Sequence, residues 1–383
     1  MALTLLNNLA TVRQNNFLRF FSGLVFGAWL VFCPVKIWAL EPGKAATQYI
    51  HDVWTTRDGL PQDTITAIAQ DDEGYIWFGT QEGLVRFDGV DFTVFDSRNT
   101  EAITGGISAV FVDAEGTLWV GAGNGLLRYR GGSFEFFGEK NGLSPNNGAG
   151  SISKDAEGNL WLGYSLGDKK TGDDGLARFK DGQGARFTVK DGLSANQIKK
   201  TFPDRQGNLW IATANGLNLL RDGKFSHFTA SDGLSDNLIR TVYGDRAGNI
   251  WLGTPNGLNR FKDGKFVVYT TKDGLSSNGV REIFEDRDGI LWIGTDYGLN
   301  RMIDGKIQAV KGIKALEVDE IQSIMEDAEG SLWIGTHVNG LHRLRDGKFT
   351  TYGAPEGLLP CCGSSSASVS QPPSGPAGRR APA

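Results

Sequence analysis

Acidic residues at a fixed distance from a tryptophan are the most regular chemical groups in this chain. An aspartate stands six residues before each of seven tryptophans: Asp71, Asp113, Asp155, Asp204, Asp245, Asp286 and Asp327. A carboxylate in a short glycine-containing turn can bind a cation, or it can accept hydrogen bonds from the amides of its own turn. Because residue type and spacing are the same in every copy, we favour the structural role over metal binding.

Groups suited to catalysis are few. The four histidines are His51, His227, His337 and His342. His337 and His342 are five residues apart across a predicted loop and strand, a spacing that sends them to opposite faces and does not make a metal pair. The sequence has neither a Gly-Lys-Ser/Thr phosphate loop nor a Gly-x-Ser-x-Gly nucleophile motif. We therefore expect no catalytic residue, no metal and no cofactor.

The seven tryptophans themselves mark an internal repeat. Trp77, Trp119, Trp161, Trp210, Trp251, Trp292 and Trp333 follow one another at intervals of 42, 42, 49, 41, 41 and 41 residues. The sixth repeat contains four short runs typical of strands, which we call strands A to D: Val280–Glu285, Leu291–Thr295, Leu299–Ile303 and Lys306–Val310. A unit of this length with four strands is typical of a propeller blade. The predicted fold is all-β, a seven-bladed β-propeller of four-stranded antiparallel blades.

The residue pattern of strand B predicts how the blades pack. Its side chains are apolar on both faces, so that both faces need a neighbouring sheet, and stacked blades supply one on each side. Glycine follows the tryptophan by two residues in six repeats, and Ala212 stands there in the fourth. We expect this small residue to make room for the next blade, which is why Gly294→Val should overpack the structure.

The repeated sequence resembles the two-component regulator propeller repeat. Its hallmarks are an Asp-Gly-Leu turn, Trp-x-Gly-Thr and Gly-Leu-x-Arg, and the resemblance extends from about Trp54 to Tyr352. The resemblance implies an extracytoplasmic input domain. In that family it is followed by a β-sandwich, a membrane span and a histidine kinase or diguanylate cyclase, and none of these is recognisable in this chain. The resemblance thus implies a sensor propeller without its output domain, and not an enzyme.

The ends of the chain differ from the repeats. Residues 1–39 carry Arg13 and Arg19 before an apolar run and are predicted to be an export signal, with an uncleaved membrane anchor as the alternative. Residues 40–47 are predicted to be a linker and residues 48–353 the propeller. The Ser/Pro/Gly-rich residues 354–383 are predicted to be disordered. The predicted repeats contain no cysteine, which suits an oxidising compartment, and we predict a periplasmic location.

Candidate ligand-binding residues follow from propeller topology. The D-to-A loops and the B-to-C turns share one end of the channel, where binding usually occurs. The turns contribute Gln81, Glu82, Asn215, Asn256, Asp296, Tyr297, His337 and Asn339. The insertion in the third repeat contributes Asp168, Lys169 and Lys170, and is interpreted equally well as a surface insertion or as a ligand lid. Asn146, Asn196, Asn237 and Asn278, with Asp63 and Asp319, are predicted mainly to cap turns.

Arginine recurs in strand C of six repeats, with Leu219 in the fourth: Arg86, Arg128, Arg178, Arg260, Arg301 and Arg343. Strand pairing places each arginine level with the tryptophan of its own blade. We expect stacking on the indole, with a strand A carboxylate as the second candidate partner.

Three functions remain open. The first and favoured one is a ligand-sensing input propeller of a two-component or cyclic-di-GMP signalling protein. Its partners would be a small molecule, for which a carbohydrate fragment is a candidate, and either a second copy or a membrane sensor. The second is a polysaccharide lyase or hydrolase, and the third is a protein-interaction scaffold. A net charge of −5 without a basic stripe argues against nucleic acid.

Closure of the ring presents one choice. Both Tyr49–Trp54 and Phe349–Tyr352 resemble strand D, so the chain offers one strand too many for the seventh blade. We predict that the N-terminal strand closes the ring, because Trp54 offers more apolar area than Tyr352.

Overall fold

The computed structural model describes residues 40–41, 43–123, 125–144, 147–165 and 174–347. In this part of the chain, 28 strands form seven antiparallel sheets of four strands each. The innermost strands contact one another in a closed circle, and the last blade returns to the first. The predicted seven-bladed propeller is confirmed.

The strands are numbered in chain order. Blade 1 contains β2 (Ala67–Gln70), β3 (Ile76–Thr80), β4 (Gly83–Phe87) and β5 (Phe92–Phe95). Blade 2 contains β6 (Ile107–Val112), β7 (Leu118–Ala122), β8 (Gly125–Arg130) and β9 (Ser133–Phe137). Blade 3 contains β10 (Ser151–Lys154), β11 (Leu160–Gly163), β12 (Leu176–Lys180) and β13 (Gln183–Phe187). Blade 4 contains β14 (Ile198–Pro203), β15 (Leu209–Thr213), β16 (Gly216–Arg221) and β17 (Lys224–Phe228).

The remaining blades follow the same plan. Blade 5 contains β18 (Thr241–Gly244), β19 (Ile250–Thr254), β20 (Gly257–Lys262) and β21 (Lys265–Tyr269). Blade 6 contains β22 (Val280–Glu285), β23 (Leu291–Thr295), β24 (Gly298–Ile303) and β25 (Lys306–Ala309). Blade 7 contains β26 (Ile321–Glu326), β27 (Leu332–Thr336), β28 (Leu341–Arg345) and β1 (Ile50–Trp54).

Helical segments in the described residues are short. The 3₁₀ helices span Ala46–Gln48, Thr56–Asp58, Glu139–Asn141, Val189–Asp191, Ala230–Asp232 and Thr271–Asp273, and α1 spans Ala315–Val318. Most of them form the turn that leads from one blade into the next. The first precedes β1, and in this segment Leu40, Ala46 and Tyr49 are buried in a cluster with Trp292.

The core lies between the blades. Each repeat tryptophan faces the following blade, and several contact an aromatic ring of its strand C; Trp77 and Tyr129, for example, have ring centroids 5.0 Å apart. The small residue two positions later makes the close approach possible. A Cβ added at Gly294 would lie 2.7 Å from Cγ2 of Ile321, the buried first residue of the next blade. The predicted reason for glycine is therefore confirmed.

The N-terminal strand closes the ring, as predicted. β1 pairs antiparallel with β28 as the outermost strand of blade 7. Trp54 stacks on Trp333 with ring centroids 5.4 Å apart, and Asp52 bonds the guanidinium of Arg343 at 2.8 Å. The competing segment, Phe349–Tyr352, lies outside the described residues. The limits of the predicted leader, linker and tail stay predictions.

A histidine pair joins the closing strand to its neighbour. His51 Nε2 and His342 Nδ1 are 2.9 Å apart, and His342 has no exposed surface. Burial, followed by the nearby His51, lowers the pKa of His342 to about 4. Burial also lowers the pKa of His51, although the charge of Asp52 opposes this. Asp319 raises the pKa of His342 too weakly to offset its burial. The pair is therefore built to be neutral.

We expect Gly294→Val to lower the free energy of unfolding by about 1–3 kcal/mol, because the added side chain overlaps Ile321. Urea denaturation measures the effect. The control is Gly43→Val, since nothing lies within 4 Å of a Cβ added there. A denaturation midpoint of Gly294→Val equal to that of the control contradicts this packing account.

The histidine pair predicts acid lability. The unfolded chain takes up a proton at His342 near pH 6.5 and the folded one only near pH 4, so stability is complete above pH 6.5 and falls between these values. We expect the free energy of unfolding of the wild type to fall by about 2–3 kcal/mol more by pH 4 than that of His342→Asn. Asn218, Asn259 and Asn300 occupy the same position in other blades. Urea denaturation at each pH tests this, with exposed His227→Gln as the control. Equal pH dependence of wild type and His342→Asn contradicts it.

Candidate functional site

The D-to-A loops and the B-to-C turns meet at one end of the channel, which we call the loop rim. Five of the seven D-to-A loops begin with a 3₁₀ turn that ends in a left-handed glycine, such as Gly274 with φ +107°. The leucine that follows is buried, for example Leu275, and it anchors the loop between two blades. The loops are therefore held by the core, and their polar residues have fixed positions.

The predicted capping residues do cap these loops. The Oδ1 atoms of Asn196, Asn237 and Asn278 each accept a hydrogen bond of 2.8 Å from the main-chain N–H seven residues earlier. Asp63 accepts one from Thr56 in the same way, at 2.7 Å. Asp319 instead accepts the amides of Val338 and Asn339. Asn146 lies outside the described residues.

The predicted B-to-C residues also lie on the loop rim, but several are bonded to neighbouring loops. Gln81 and Gln62 bond each other, Asn256 Nδ2 donates to Asp236 at 2.8 Å, and Asn339 Nδ2 donates to Asp319 at 2.9 Å. The Asn215 amide reaches the carbonyl of Ser194 at 3.4 Å.

Other rim side chains face solvent. Glu82 and His337 are exposed, and Tyr297 is 64% exposed. The exposed ring of Tyr297 is a surface on which a ligand could stack. Asp168, Lys169 and Lys170, predicted in the blade 3 insertion, lie outside the described residues.

Three basic residues that sequence reasoning missed also lie on the loop rim. Lys199, Arg240 and Arg281 occupy the position five residues before the repeat aspartate in blades 4, 5 and 6. The other four blades hold Thr66, Ser108, Gly150 and Gln322 there. In blades 4 and 6 the residue sits in a β-bulge, where an extra residue redirects its side chain. We call these three residues the cationic arc.

Carboxylates hold most of the arc in place. Asp296 lies 2.9 Å from Nη1 of Arg240 and also bonds Nε of Arg281. The other end of the Arg281 guanidinium donates to Glu320 at 2.9 Å. Asp296, which was predicted as a ligand contact, thus positions two arginines from neighbouring blades.

Lys199 differs from the arginines, since its ammonium donates to the Ser165 hydroxyl at 3.0 Å and pairs with no carboxylate of the described residues. Burial, followed by repulsion from Arg240, lowers its pKa. A bound anion would relieve both effects. Deeper in the channel, Lys200 spans two blades to reach Glu282 at 3.1 Å. The loop rim is therefore polar and preorganised, and the cationic arc lies over blades 4 to 6.

The repeat aspartates serve structure, as predicted. In all seven, Oδ1 accepts the amide four residues later at 2.7 to 2.9 Å. The sequence did not reveal their second contact, in which Oδ2 accepts the indole N–H of the repeat tryptophan at 2.6 to 2.9 Å. Burial raises the pKa of Asp286. Burial acts likewise on Asp113, but there the indole, the Thr117 amide and Lys154 outweigh it and lower the pKa.

The strand C arginines stack on the repeat tryptophans in four blades, with distances of 5.2 to 5.9 Å to the ring centroid for Arg86, Arg128, Arg260 and Arg343. Their carboxylate partners are Glu135 and Asp52, which lie on strand D and not on strand A as expected. Strand D is the direct neighbour of strand C, whereas strand B separates strand C from strand A. Arg178 is exposed.

The described residues lack both a metal-binding cluster and a membrane-spanning helix. They contain no cluster of three or more histidine, cysteine or carboxylate side chains arranged to hold a metal ion. No helix among them has the length and apolar character needed to cross a bilayer.

Comparison with protein families identifies the repeat. The sequence model of the two component regulator propeller matches residues 59–82, 192–215, 233–256, 274–297 and 315–337. Each match includes a blade entry loop, strand A, strand B and the start of the B-to-C turn. Five of the seven blades therefore match this repeat model. No curated protein matches the chain significantly.

Solved structures show the same fold. The extracellular domain of a hybrid two-component system from B. thetaiotaomicron is 24% identical with a TM-score of 0.65, over 78% of this chain and 42% of that one. Virginiamycin B lyase from Staphylococcus aureus is 13% identical with a TM-score of 0.58, over 78% and 98%. A surface component of the type-IX secretion system of Porphyromonas gingivalis is 17% identical with a TM-score of 0.57, over 76% and 48%. This chain thus spans less than half the length of the first and third.

Proposed function

We propose that this chain is the ligand-sensing input propeller of an extracytoplasmic signalling protein, of the two-component or cyclic-di-GMP type, and that it does not itself catalyse a reaction. The two-component regulator propeller repeats support the sensor role. The predicted export signal supports a periplasmic location. The output domain would belong to the longer architecture that the resemblance implies.

The ligand would bind on the loop rim over blades 4 to 6. The observation that carries this proposal is the cationic arc, which places Lys199, Arg240 and Arg281 on three successive blades at a position where the other blades are uncharged. Asp296 fixes the two arginines, while Lys199 pairs with no carboxylate of the described residues. Tyr297, the residue after Asp296, is exposed. A small molecule with an anionic or strongly polar group and a ring, such as a carbohydrate fragment, matches this surface.

Binding there would add a link between blades to those that the core and the ion pairs already make. A ligand bridging Lys199 and Arg281 would connect blade 4 to blade 6 and would bias how this rim docks on a neighbouring domain or on a second copy. The ligand can shift such a docking equilibrium only by as much as it binds the two states differently.

The test is a thermal-shift screen of the full chain with neutral and acidic oligosaccharides. A compound at ten times its dissociation constant adds about 1.4 kcal/mol and should raise the melting temperature by about 2–4 °C. Arg281→Gln, which copies Gln322 of blade 7, should reduce the shift at equal concentration. Lys224→Gln, an exposed change on an outer strand, is the control. The absence of any stabilising compound, or an equal shift in Arg281→Gln, contradicts the proposal.

A further inference from the structure

A cavity of about 690 Å³ lies between blades 4 and 5 on the rim opposite the loop rim. It is formed by the A-to-B turns of both blades and the C-to-D turn of blade 5, with walls that include Phe202, Tyr243 and Phe261. The corresponding cavity between blades 2 and 3 measures about 390 Å³, and Lys154 lines it. The larger cavity has the size of a small-molecule site.

The two interfaces differ at one position, the residue just before the repeat aspartate. In blades 1, 3, 6 and 7 that residue reaches back to the A-to-B turn of the preceding blade: Gln70, Lys154, Glu285 and Glu326. Blade 5 has Gly244 there. It therefore extends no side chain toward blade 4, and the Phe202 ring lies against the glycine, 2.3 Å from where a Cβ would be.

The arginine that would bind a side chain at position 244 is still present in blade 4. In blades 5 and 6 the residue after the repeat aspartate is an arginine, and it binds the glutamate of the next blade. Arg246 donates its main-chain N–H to Glu285 at 2.9 Å, and its Nε lies 3.7 Å from the same carboxylate. Arg287 donates its main-chain N–H to Glu326 at 2.7 Å, with Nε 2.5 Å from the carboxylate.

Blade 4 has the same arginine, Arg205, at the same position. Gly244 stands where the glutamate would be, and neither the main-chain N–H nor the guanidinium of Arg205 has a hydrogen bond or ion pair within the described residues. The main-chain N–H and the guanidinium of Arg205 can therefore bind a carboxylate, but blade 5 supplies none.

Three of the four carboxylates in the cavity already have partners. Asp204 and Asp245 accept the indole N–H groups of their own tryptophans, and Glu285 is occupied by Arg246. The remaining charged groups that line the cavity are Arg205, Arg221 and Lys262 against Asp263. The lining as a whole holds four cations and four carboxylates, so its preference for an anion rests on the unpaired donors of Arg205 and not on net charge.

We propose that this cavity binds a small organic carboxylate with a ring-shaped body. Its carboxylate takes the place that Glu285 and Glu326 fill in the next two interfaces, accepting the main-chain N–H and the guanidinium of Arg205. Its ring lies against the aromatic walls. The site is separate from the loop rim, so the chain has a second ligand position at the other end of the ring.

The experiment is calorimetric titration of the full chain with two carboxylates, glucuronate and 4-hydroxybenzoate, each beside its neutral counterpart, glucose and 4-hydroxybenzyl alcohol. The two arms distinguish a sugar ring from an aromatic ring. We expect at least one carboxylate to bind and its neutral counterpart to bind at least about tenfold more weakly, because a charge-assisted contact is lost.

Arg205→Ala should lower the affinity for that carboxylate by about tenfold or more. Blades 2, 3 and 7 hold Ala114, Ala156 and Ala328 at this position, and Arg205 has no described partner, so the melting temperature should stay unchanged. The matched control, Arg287→Ala, removes the same side chain where Glu326 already fills the site, and it should leave carboxylate affinity unchanged. Arg281→Gln, which changes only the loop rim, tests whether the carboxylate binds there instead.

Three results overturn the proposal. The first is that neither carboxylate binds. The second is that Arg205→Ala binds as wild type does, or that Arg287→Ala weakens binding equally. The third is that only Arg281→Gln weakens binding, which assigns the carboxylate to the loop rim and leaves the proposed sensing function intact.

Discussion

The contact on which this ring depends is the one between each repeat aspartate and its tryptophan. One carboxylate oxygen holds the amide that closes the A-to-B turn, and the other holds the indole N–H six residues later. The interaction fixes the turn and the orientation of the indole together. Because the indole faces the following blade, a local hydrogen bond decides how two sheets pack. A buried indole N–H without this acceptor would be costly, which explains why the position is aspartate in every repeat.

The fixed core leaves a small number of positions free to differ, and the candidate sites lie at those positions. Five residues before the aspartate, the side chain points to the channel mouth, and three blades carry a cation there. Directly before the aspartate, the side chain bridges to the preceding blade in blades 1, 3, 6 and 7, whereas blade 5 has Gly244 beside a cavity. Neither position belongs to the layer of repeat tryptophans packed between the blades. Both can therefore change without disturbing the ring. Departures from the repeat are therefore more informative about function than the repeat itself.

Most of the fold could be predicted from the sequence, because apolar periodicity and turn residues act locally and are repeated seven times. Strands A and B of the sixth repeat have the predicted limits, and the choice of β1 as the closing strand was correct. The candidate site was harder. Asn196, Asn237 and Asn278 were identified as caps. The cationic arc was missed because its residues lie at the start of strand A, whereas ligand contacts were expected in the loops and turns.

The missed contacts have a common cause. The indole partner of the aspartate, the strand D partners of the strand C arginines and the unfilled position of Arg205 all depend on which elements are adjacent in space, which spacing within one repeat does not specify. Aligning all seven repeats by the aspartate shows the arc and the Gly244 exception at once. That signal was available in the sequence, whereas the distances and the cavity were not.

The most direct test of this account compares two substitutions in one turn, Asp71→Ala and Glu73→Ala. Both remove a carboxylate from the A-to-B turn of blade 1, but only Asp71 contacts the fully buried Trp77, at 2.6 Å. Urea denaturation of the full chain measures the free energy of unfolding of each variant. We predict that Asp71→Ala loses about 2–4 kcal/mol, since it leaves the indole and turn amides without an acceptor, and that Glu73→Ala stays within about 0.5 kcal/mol of wild type. Equal stability of the two variants would contradict the account.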